Sequence, residues 1–349
     1  MARARAYLDH NATAPLRPEA RAAMIDALDV VGNPSSVHAE GRRAKAIVEK
    51  ARAQIAAAFG AEGADIVFTS GATEAAALAL AGRDLKGAEI EHDAVSAWIT
   101  PDLSVDADGR VSVPDPGQST LQKANSETGV IQDLPPGLAV SDMTQAFGKL
   151  PVAFNWEGCD MALASAHKLG GPKGVGVLIL RQGLDVTAQL RGGGQEMGRR
   201  SGTENVAAIA GFGAAAEAAA RDLANGVWAR VEKLRNILEN AIAAAGNETI
   251  FVGNSTPRLP NTSCFGVPGW KAETQVMAMD LAGYAISAGS ACSSGKTRKS
   301  RGLRAMGLSA LEDSGAIRVS LGPETTEAEV LGFAEAWAAQ FRKHRARAA

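Results

Sequence analysis

DMALASAHKLGGPKGVGVLIL, residues 160–180, decides the architecture. Two apolar runs flank a turn that contains Lys168, Gly170, Gly171 and Pro172. The second run, GVGVLIL, is apolar at nearly every position, the pattern of a strand covered on both faces. Such strands belong to sheets flanked by helices, so helices should lie before and after it. GRRAKAIVEKARAQIAAAFG (residues 41–60) carries an apolar stripe at Ala44, Ile47, Val48, Ala51 and Ile55 and stops at Gly60. DIVFTSG reads as a short β run followed at once by the helix TEAAALALAG, and LAVSD is a further β run. Residues 203–223 and 227–246 read as long helices, and a last helix opens on the capping box Thr326-x-x-Glu329. Strands alternating with helices predict an α/β fold with a mostly parallel sheet. The change to longer helices puts a boundary near residue 225.

Composition narrows the function classes. The chain has 349 residues, 46% of them apolar and 21% charged, enough for two ordinary domains or one large α/β domain. A net charge of −2 excludes a globally basic nucleic-acid or anionic-membrane binder. No apolar run is long enough to span a bilayer, and the N-terminus MARARAYLDHNATAP has no apolar segment of the secretory type. Three cysteines without a CxxC pair suggest neither a disulfide framework nor a metal site. The expectation is a cytoplasmic protein with no membrane and no nucleic-acid partner.

Several stretches carry chemistry. In SAHKLGGPKG, Ser165, His167 and Lys168 crowd the C-terminal end of a strand, where open α/β sheets place ligands. A lysine there is able to form a Schiff base with a carbonyl, although a surface lysine at a strand end is the commoner role. In FTSGATEA a strand turns through Ser70-Gly71 into a helix whose first turn holds Ala72, Thr73 and Glu74. Free N–H groups and the helix dipole make this a phosphate cradle, with simple capping by Thr73 as the plainer reading. In VSDMTQAFGK, Asp142 ends an apolar run and Gln145 follows three residues later. Asp142 suits a helix N-cap, or a carboxylate facing a pyridinium nitrogen. A reactive lysine, a phosphate cradle and a buried aspartate together suit pyridoxal phosphate. One stretch remains: ISAGSACSSGKTRKS (residues 286–300) sets Cys292 among Ser, Ala and Gly, with basic residues after it.

Read with YLDHNATAP, NPSSVHAEGRRA, IEHDAV, ANSETGVIQD, GGGQEMGRRSGTEN, GSACSSGK and IRVSLG, these motifs stand in the order of one family. The chain resembles a cysteine desulfurase of the NifS/IscS group, within the class V aminotransferase-like, fold-type I pyridoxal-phosphate enzymes. The resemblance implies a large cofactor-binding domain over residues 14–224. Residues 1–13 and 225–349 would form a smaller α+β domain with the cysteine loop. It implies that Lys168 binds pyridoxal phosphate as a Schiff base, that Asp142 pairs with the ring nitrogen, and that Gln145 and Asn125 bond the phenolic oxygen. His92 would stack on the ring and shuttle a proton, and Ala72, Thr73, Ser165 and His167 would hold the phosphate. Thr203 would reach the phosphate of the neighbouring subunit in a homodimer. Arg318, with Asn11 and Asn125, would contact the substrate L-cysteine. Cys292 would attack the substrate sulfur and become a persulfide, releasing L-alanine. Small flanking residues would let that thiol travel to a sulfur acceptor or scaffold protein, as in iron–sulfur cluster assembly. Lys296, Arg298, Lys299 and Arg301 would lower the thiol pKa or attract an acidic acceptor, or be a solvated helix start. Cys159 and Cys264 read as buried, inert thiols. Other readings are selenocysteine lyase, another class V reaction, or a non-catalytic scaffold that would need neither Lys168 nor Cys292.

The chain departs from the family in one region. Residues 93–142 have PDPGQ, and then DLPPG with Pro135-Pro136, where the family usually has two crossover helices. Their loss should expose sheet surface at STLQKAN, where Gln122 and Lys123 replace apolar residues. That face is expected to be solvated or covered by another protein.

Overall fold

The computed structural model describes residues 5–289 and 300–348. Cys292, Lys296, Arg298 and Lys299 therefore lie outside the described residues.

The quoted stretch forms the strands Cys159–Ser165 and Gly176–Leu180, joined by a short 3-10 turn, Ala166–Lys168. The sheet runs in the order Asp65–Thr69, Gly176–Leu180, Cys159–Ser165, Leu138–Asp142. Residues 119–123 continue it: the Leu121 and Lys123 N–H groups donate to Val140 and Asp142 carbonyls at 3.1 and 2.8 Å, and the Thr120 N–H donates to Lys86 at 2.8 Å. Lys86–Ala88 and Thr100–Leu103 close the far edge as a parallel pair. Only Gly176–Leu180 runs antiparallel to its neighbours in this order. Thr69, Lys123, Asp142 and Ser165 therefore all reach the same edge.

Alternation along each strand feeds two cores. Ile66, Phe68, Val177 and Ile179 pack against the helices Pro18–Leu28, Ala39–Ala58 and Val206–Ala224. Val67, Val140, Leu163 and Leu178 face the helix Ala72–Leu80 on the other side. A further core joins Ala6 and Leu8 to residues 228–341, where Trp337 stacks on Phe341 at 5.3 Å between centroids. It covers the antiparallel sheet of Ser287–Ala288, Ile317–Ser320, Thr262–Gly266 and Ile250–Phe251. The N-terminal segment is bound to this part: Ala6–Tyr7 pairs with Tyr284–Ala285, and Asp9 bridges to Ser320. The Thr326–Glu329 capping box forms, the Glu329 N–H donating to Thr326 Oγ1 at 3.3 Å and the Thr326 N–H to Glu329 Oε2 at 2.8 Å.

Between Ser96 and Val206 the described residues contain no α-helix, so the region is as bare of helices as its prolines imply. The expectation of an uncovered face at Gln122 and Lys123 needs correction. Gln122 is 2% exposed and donates from Nε2 to the Ile90 carbonyl at 2.9 Å. Lys123 points the opposite way, where its ammonium pairs with Glu157 at 2.6 Å; the two side chains are 12% and 16% exposed. Val111, Val113, Leu134, Leu150 and Val152 from the chain's own loops pack on the same core. Polar residues stand here because one faces a cavity and the other has a counter-ion, not because the face is bare.

One glycine contact shapes the site edge. A Cβ on Gly176 would stand 2.6 Å from the Ala164 carbonyl oxygen and 2.7 Å from Gly71 Cα. Gly176→Ala should therefore push the Ser70–Gly71 turn off the strand and cost about 1–3 kcal/mol of stability. A urea unfolding midpoint equal to wild type would refute this.

Candidate active site

The common edge of the parallel strands opens into a cavity of about 670 Å³. Of the residues singled out in the sequence, Ala72, Thr73, His92, Asp142, Gln145, Ser165, His167 and Lys168 line it. The strand Cys159–Ser165 delivers Ser165, and the 3-10 turn after it delivers His167 and Lys168. Lys168 Nζ donates to the backbone carbonyls of Asn11 at 2.8 Å and Ala12 at 2.9 Å, so the N-terminal segment forms part of its seat.

At one end stands the start of the helix Ala72–Leu80. Its N-cap, Gly71, supplies no side-chain bond, which leaves the first N–H groups to a ligand. Glu74 does not occupy them. It accepts the Ser70 N–H at 2.7 Å and Arg200 Nε at 2.8 Å. Burial raises the Glu74 carboxyl, but Arg200 and Ser70 outweigh that and hold it below the usual carboxylate range. His167 Nδ1 lies 3.2 Å from Thr13 Oγ1. Burial, then Lys168 and Lys173, push its pKa down to about 4, so the ring is neutral at pH 7. An anion bound beside it would oppose that shift.

At the other end Asp142 closes its strand. Its Oδ1 accepts the Thr144 N–H at 2.8 Å, the local cap expected of it, while the residue also lines the cavity. Gln145 donates from Nε2 to the Asn11 carbonyl at 3.0 Å, and its Oε1 accepts from Lys149 Nζ at 2.5 Å. His92 caps the short helix Asp93–Ser96: Nδ1 accepts the Ala94 N–H at 3.1 Å. That assigns the proton of the neutral ring to Nε2.

Four of the singled-out residues lie elsewhere. Asn125 Oδ1 accepts from the Glu127 and Thr128 N–H groups and from Thr128 Oγ1, while Nδ2 donates to Ile90, so its amide stabilises a turn beside the cavity. Asn11 is 1% exposed and sits behind the wall rather than in it. Its side chain bonds Thr262, Ser126, Asn261 and Lys149. Arg318 is 3% exposed, pairs with Asp9 at 2.7 Å and donates to the Ser126 carbonyl at 3.0 Å. Its Nε reaches no acceptor among the described residues. Thr203 is exposed and does not border its own chain's cavity.

Sequence reasoning passed over Thr13, Ser126, Thr144 and Lys173, which also line the cavity with Ser70 and Gln122, noted before only as a turn residue and a sheet-face residue. Each neighbours a recognised motif, and that adjacency was the available signal. Glu91 was also missed: it is buried beside His92 and accepts the Gln122 N–H at 2.8 Å. Burial pushes its pKa up to about 8; the Gln122 N–H lowers it and Asp142 raises it further. Cys159 and Cys264 are both buried, as expected. Burial pushes Cys159 up to about 12 and Cys264 well above an ordinary thiol, so neither supplies a thiolate. Arg301 pairs with Asp93. No group of metal-ligating side chains occurs among the described residues, and no described helix is long and apolar enough to cross a membrane.

The profile of the class-V aminotransferases matches residues 6–98 and 114–333, and leaves out part of the region without helices. A cysteine desulfurase of Cereibacter sphaeroides is 38% identical, over 93% of this chain and 93% of that protein. Another from Frankia sp. (strain EuIK1) is 39% identical, over 93% of this chain and 88% of its own length. Among solved structures, a NifS-like protein from Rickettsia africae superposes with a TM-score of 0.87 at 32% identity, over 97% of this chain and 99% of its own. Sequence and architecture agree over nearly the whole length, and the chain belongs to the class-V aminotransferase family.

Proposed function

We propose that this protein is a pyridoxal-phosphate-dependent L-cysteine desulfurase, which converts L-cysteine to L-alanine and keeps the sulfur as a persulfide on Cys292. One observation carries the reading: Lys168, Asp142, Gln145, His92 and the uncapped helix start at Ala72 converge on a single cavity. The donor set fits the cofactor. Helix N–H groups with Ser165 suit a phosphate, a carboxylate suits a pyridine nitrogen, and an amine suits an aldehyde. When bound, pyridoxal phosphate supplies an electron-withdrawing ring that stabilises negative charge at the substrate's Cα.

The remaining work falls to the chain. Lys168 Nζ would anchor the cofactor and then take and return the Cα proton. Asp142 would hold the ring nitrogen in its charged form. His92 holds a proton on Nε2 for exchange within the cavity. Arg318 is the proposed contact for the substrate carboxylate: it is bonded to the carbonyl of Ser126, which lines the cavity, its Nε reaches no other acceptor among the described residues, and it would turn from its buried pairing with Asp9 to reach the substrate. The Cys292 thiolate attacks the substrate sulfur: an S–S bond forms and the Cβ–S bond breaks. L-cysteine and one thiol give L-alanine and one persulfide, so atoms balance without an outside oxidant or reductant. We place Thr203 against the cofactor phosphate of a second copy, on a loop tied to its own cavity by Arg200 and Glu74. The persulfide passes to an acceptor protein, with iron–sulfur cluster assembly as the proposed destination.

The test is to supply L-cysteine to the purified holoprotein without reductant, quantify alanine, and map persulfide by mass spectrometry. Alanine equal to persulfide plus sulfide, with the label on Cys292, is the expected result. A cofactor-loaded protein that forms no alanine would reject the substrate, and a monomer by sedimentation would reject the role of Thr203.

A further inference from the structure

Lys149 is a buried amine that the proposed reaction does not use. Its Nζ donates to Asn11 Oδ1 at 2.9 Å and Gln145 Oε1 at 2.5 Å, and no carboxylate pairs with it among the described residues. An ammonium has three N–H donors, whereas two side-chain acceptors match the two N–H bonds of an uncharged amine. The same asparagine holds Lys168, through its backbone carbonyl at 2.8 Å, and that carbonyl also accepts from Gln145 at 3.0 Å. Lys149, Gln145, Asn11 and Lys168 thus form one connected unit.

Lys168 is the wall between the front cavity and a rear cleft of about 530 Å³, which Lys149 also lines. A third cleft of about 480 Å³ shares Lys149 and Trp228 with the second. Lys149 therefore borders two rear clefts although its side chain is buried.

We propose that Lys149 is a positioning residue for Lys168: its amine fixes Asn11 and Gln145, and through Asn11 it couples to the Lys168 nitrogen. The inference rests on the assignment of Lys168 as the cofactor lysine. Charge supports the coupling. Burial, then Lys168, then Arg318 hold the Lys149 pKa well below that of an ordinary lysine. The groups around it are the His10 ring, which burial and Lys149 push down to about 4, and the Arg318–Asp9 pair. Asp222 and Glu329 line the second cavity, and Glu232 and Arg258 the third. Of these, Asp222 is paired with Arg17 and Arg258 with Glu239.

Lys149 bonds the side-chain oxygen of Asn11 and Lys168 bonds its backbone carbonyl, so removing the Lys149 donor frees the residue that seats Lys168.

The experiment uses full-length protein stripped of cofactor, mixed with pyridoxal phosphate across a pH series. Covalent attachment is followed by absorbance, then fixed with borohydride and mapped. Lys149→Met removes the donor to Asn11 Oδ1 and Gln145 Oε1, and Lys149→Gln keeps an N–H donor. Lys149→Met should take up the cofactor about tenfold more slowly across the pH series, and Lys149→Gln should recover most of the wild-type rate, a rescue that a merely space-filling role would not give. Near-ultraviolet circular dichroism checks the fold, and if Lys149→Met fails that check, Asn11→Ala, which cuts the same link from the other side, takes its place. Wild-type attachment at Lys168 with superimposable profiles overturns the inference and leaves the cofactor assignment standing. Failure of the wild type to attach at Lys168 overturns both.

Discussion

Lys168→Ala protein should come off a column colourless and form no alanine from L-cysteine, a loss of at least about 10³-fold. Two roles vanish together. On the proposed assignment the covalent anchor is gone, and so is the group that moves the Cα proton; general acid–base catalysis alone contributes about 10²–10⁴-fold. The fold should survive. Lys168 is only partly buried, its bonds go to two backbone carbonyls, and the turn is closed by the Leu169 N–H to Ala166 carbonyl bond at 3.1 Å. Far-ultraviolet circular dichroism and the unfolding midpoint should therefore stay near wild type while the visible band disappears. The competing amines are Lys173 on the same cavity wall and Lys149 behind it. A variant that stays yellow after gel filtration, with near-wild-type turnover, would show that one of them is the anchor.

Cys292→Ala should separate cofactor binding from sulfur transfer. The variant should keep the wild-type visible spectrum, because Lys168 and the other residues proposed to hold the cofactor are unchanged. Its alanine production should fall by about 10² or more, and no protein persulfide should form. The other cysteines cannot substitute for it. Cys159 lies at the start of a central strand and Cys264 in the small sheet, and burial holds both thiols protonated. The described residues on either side of 290–299 are bonded near the site. Ser287 pairs with Arg318 across the sheet, and Ser300 Oγ bonds Glu127 at 2.9 Å beside the cavity. Persulfide mapped to Cys159 or Cys264, or full activity in the variant, would discard Cys292 as the sulfur acceptor.

Much of the site was legible because its chemistry is local. Ser165, His167 and Lys168 follow one apolar strand, and Ala72 and Thr73 follow another. Asp142 ends a third. Parallel strands bring their C-terminal ends to one edge, so residues far apart in the chain meet without any pairing signal in the sequence. Arg318 was legible as a residue but not in its setting, because its partner Asp9 lies 309 residues away. Asn125 was legible as a residue of the site, but not the turn at residues 125–128 that its amide closes.

The strand–turn–helix alternation, the helix start at Ala72 and the lysine at a strand end were determined by the sequence alone. Each follows from steric preference, side-chain periodicity and helix-end hydrogen bonding over a few residues. Three things were decided by the tertiary structure. The bare-looking face is covered by the chain's own loops, since Lys123 finds Glu157. Asn11 is a buried link rather than a wall residue. Lys149 and Lys168 share that link across 138 and 157 residues of sequence. Hydrogen bonds and ion pairs at such separations depend on where whole elements pack, and no local pattern records them.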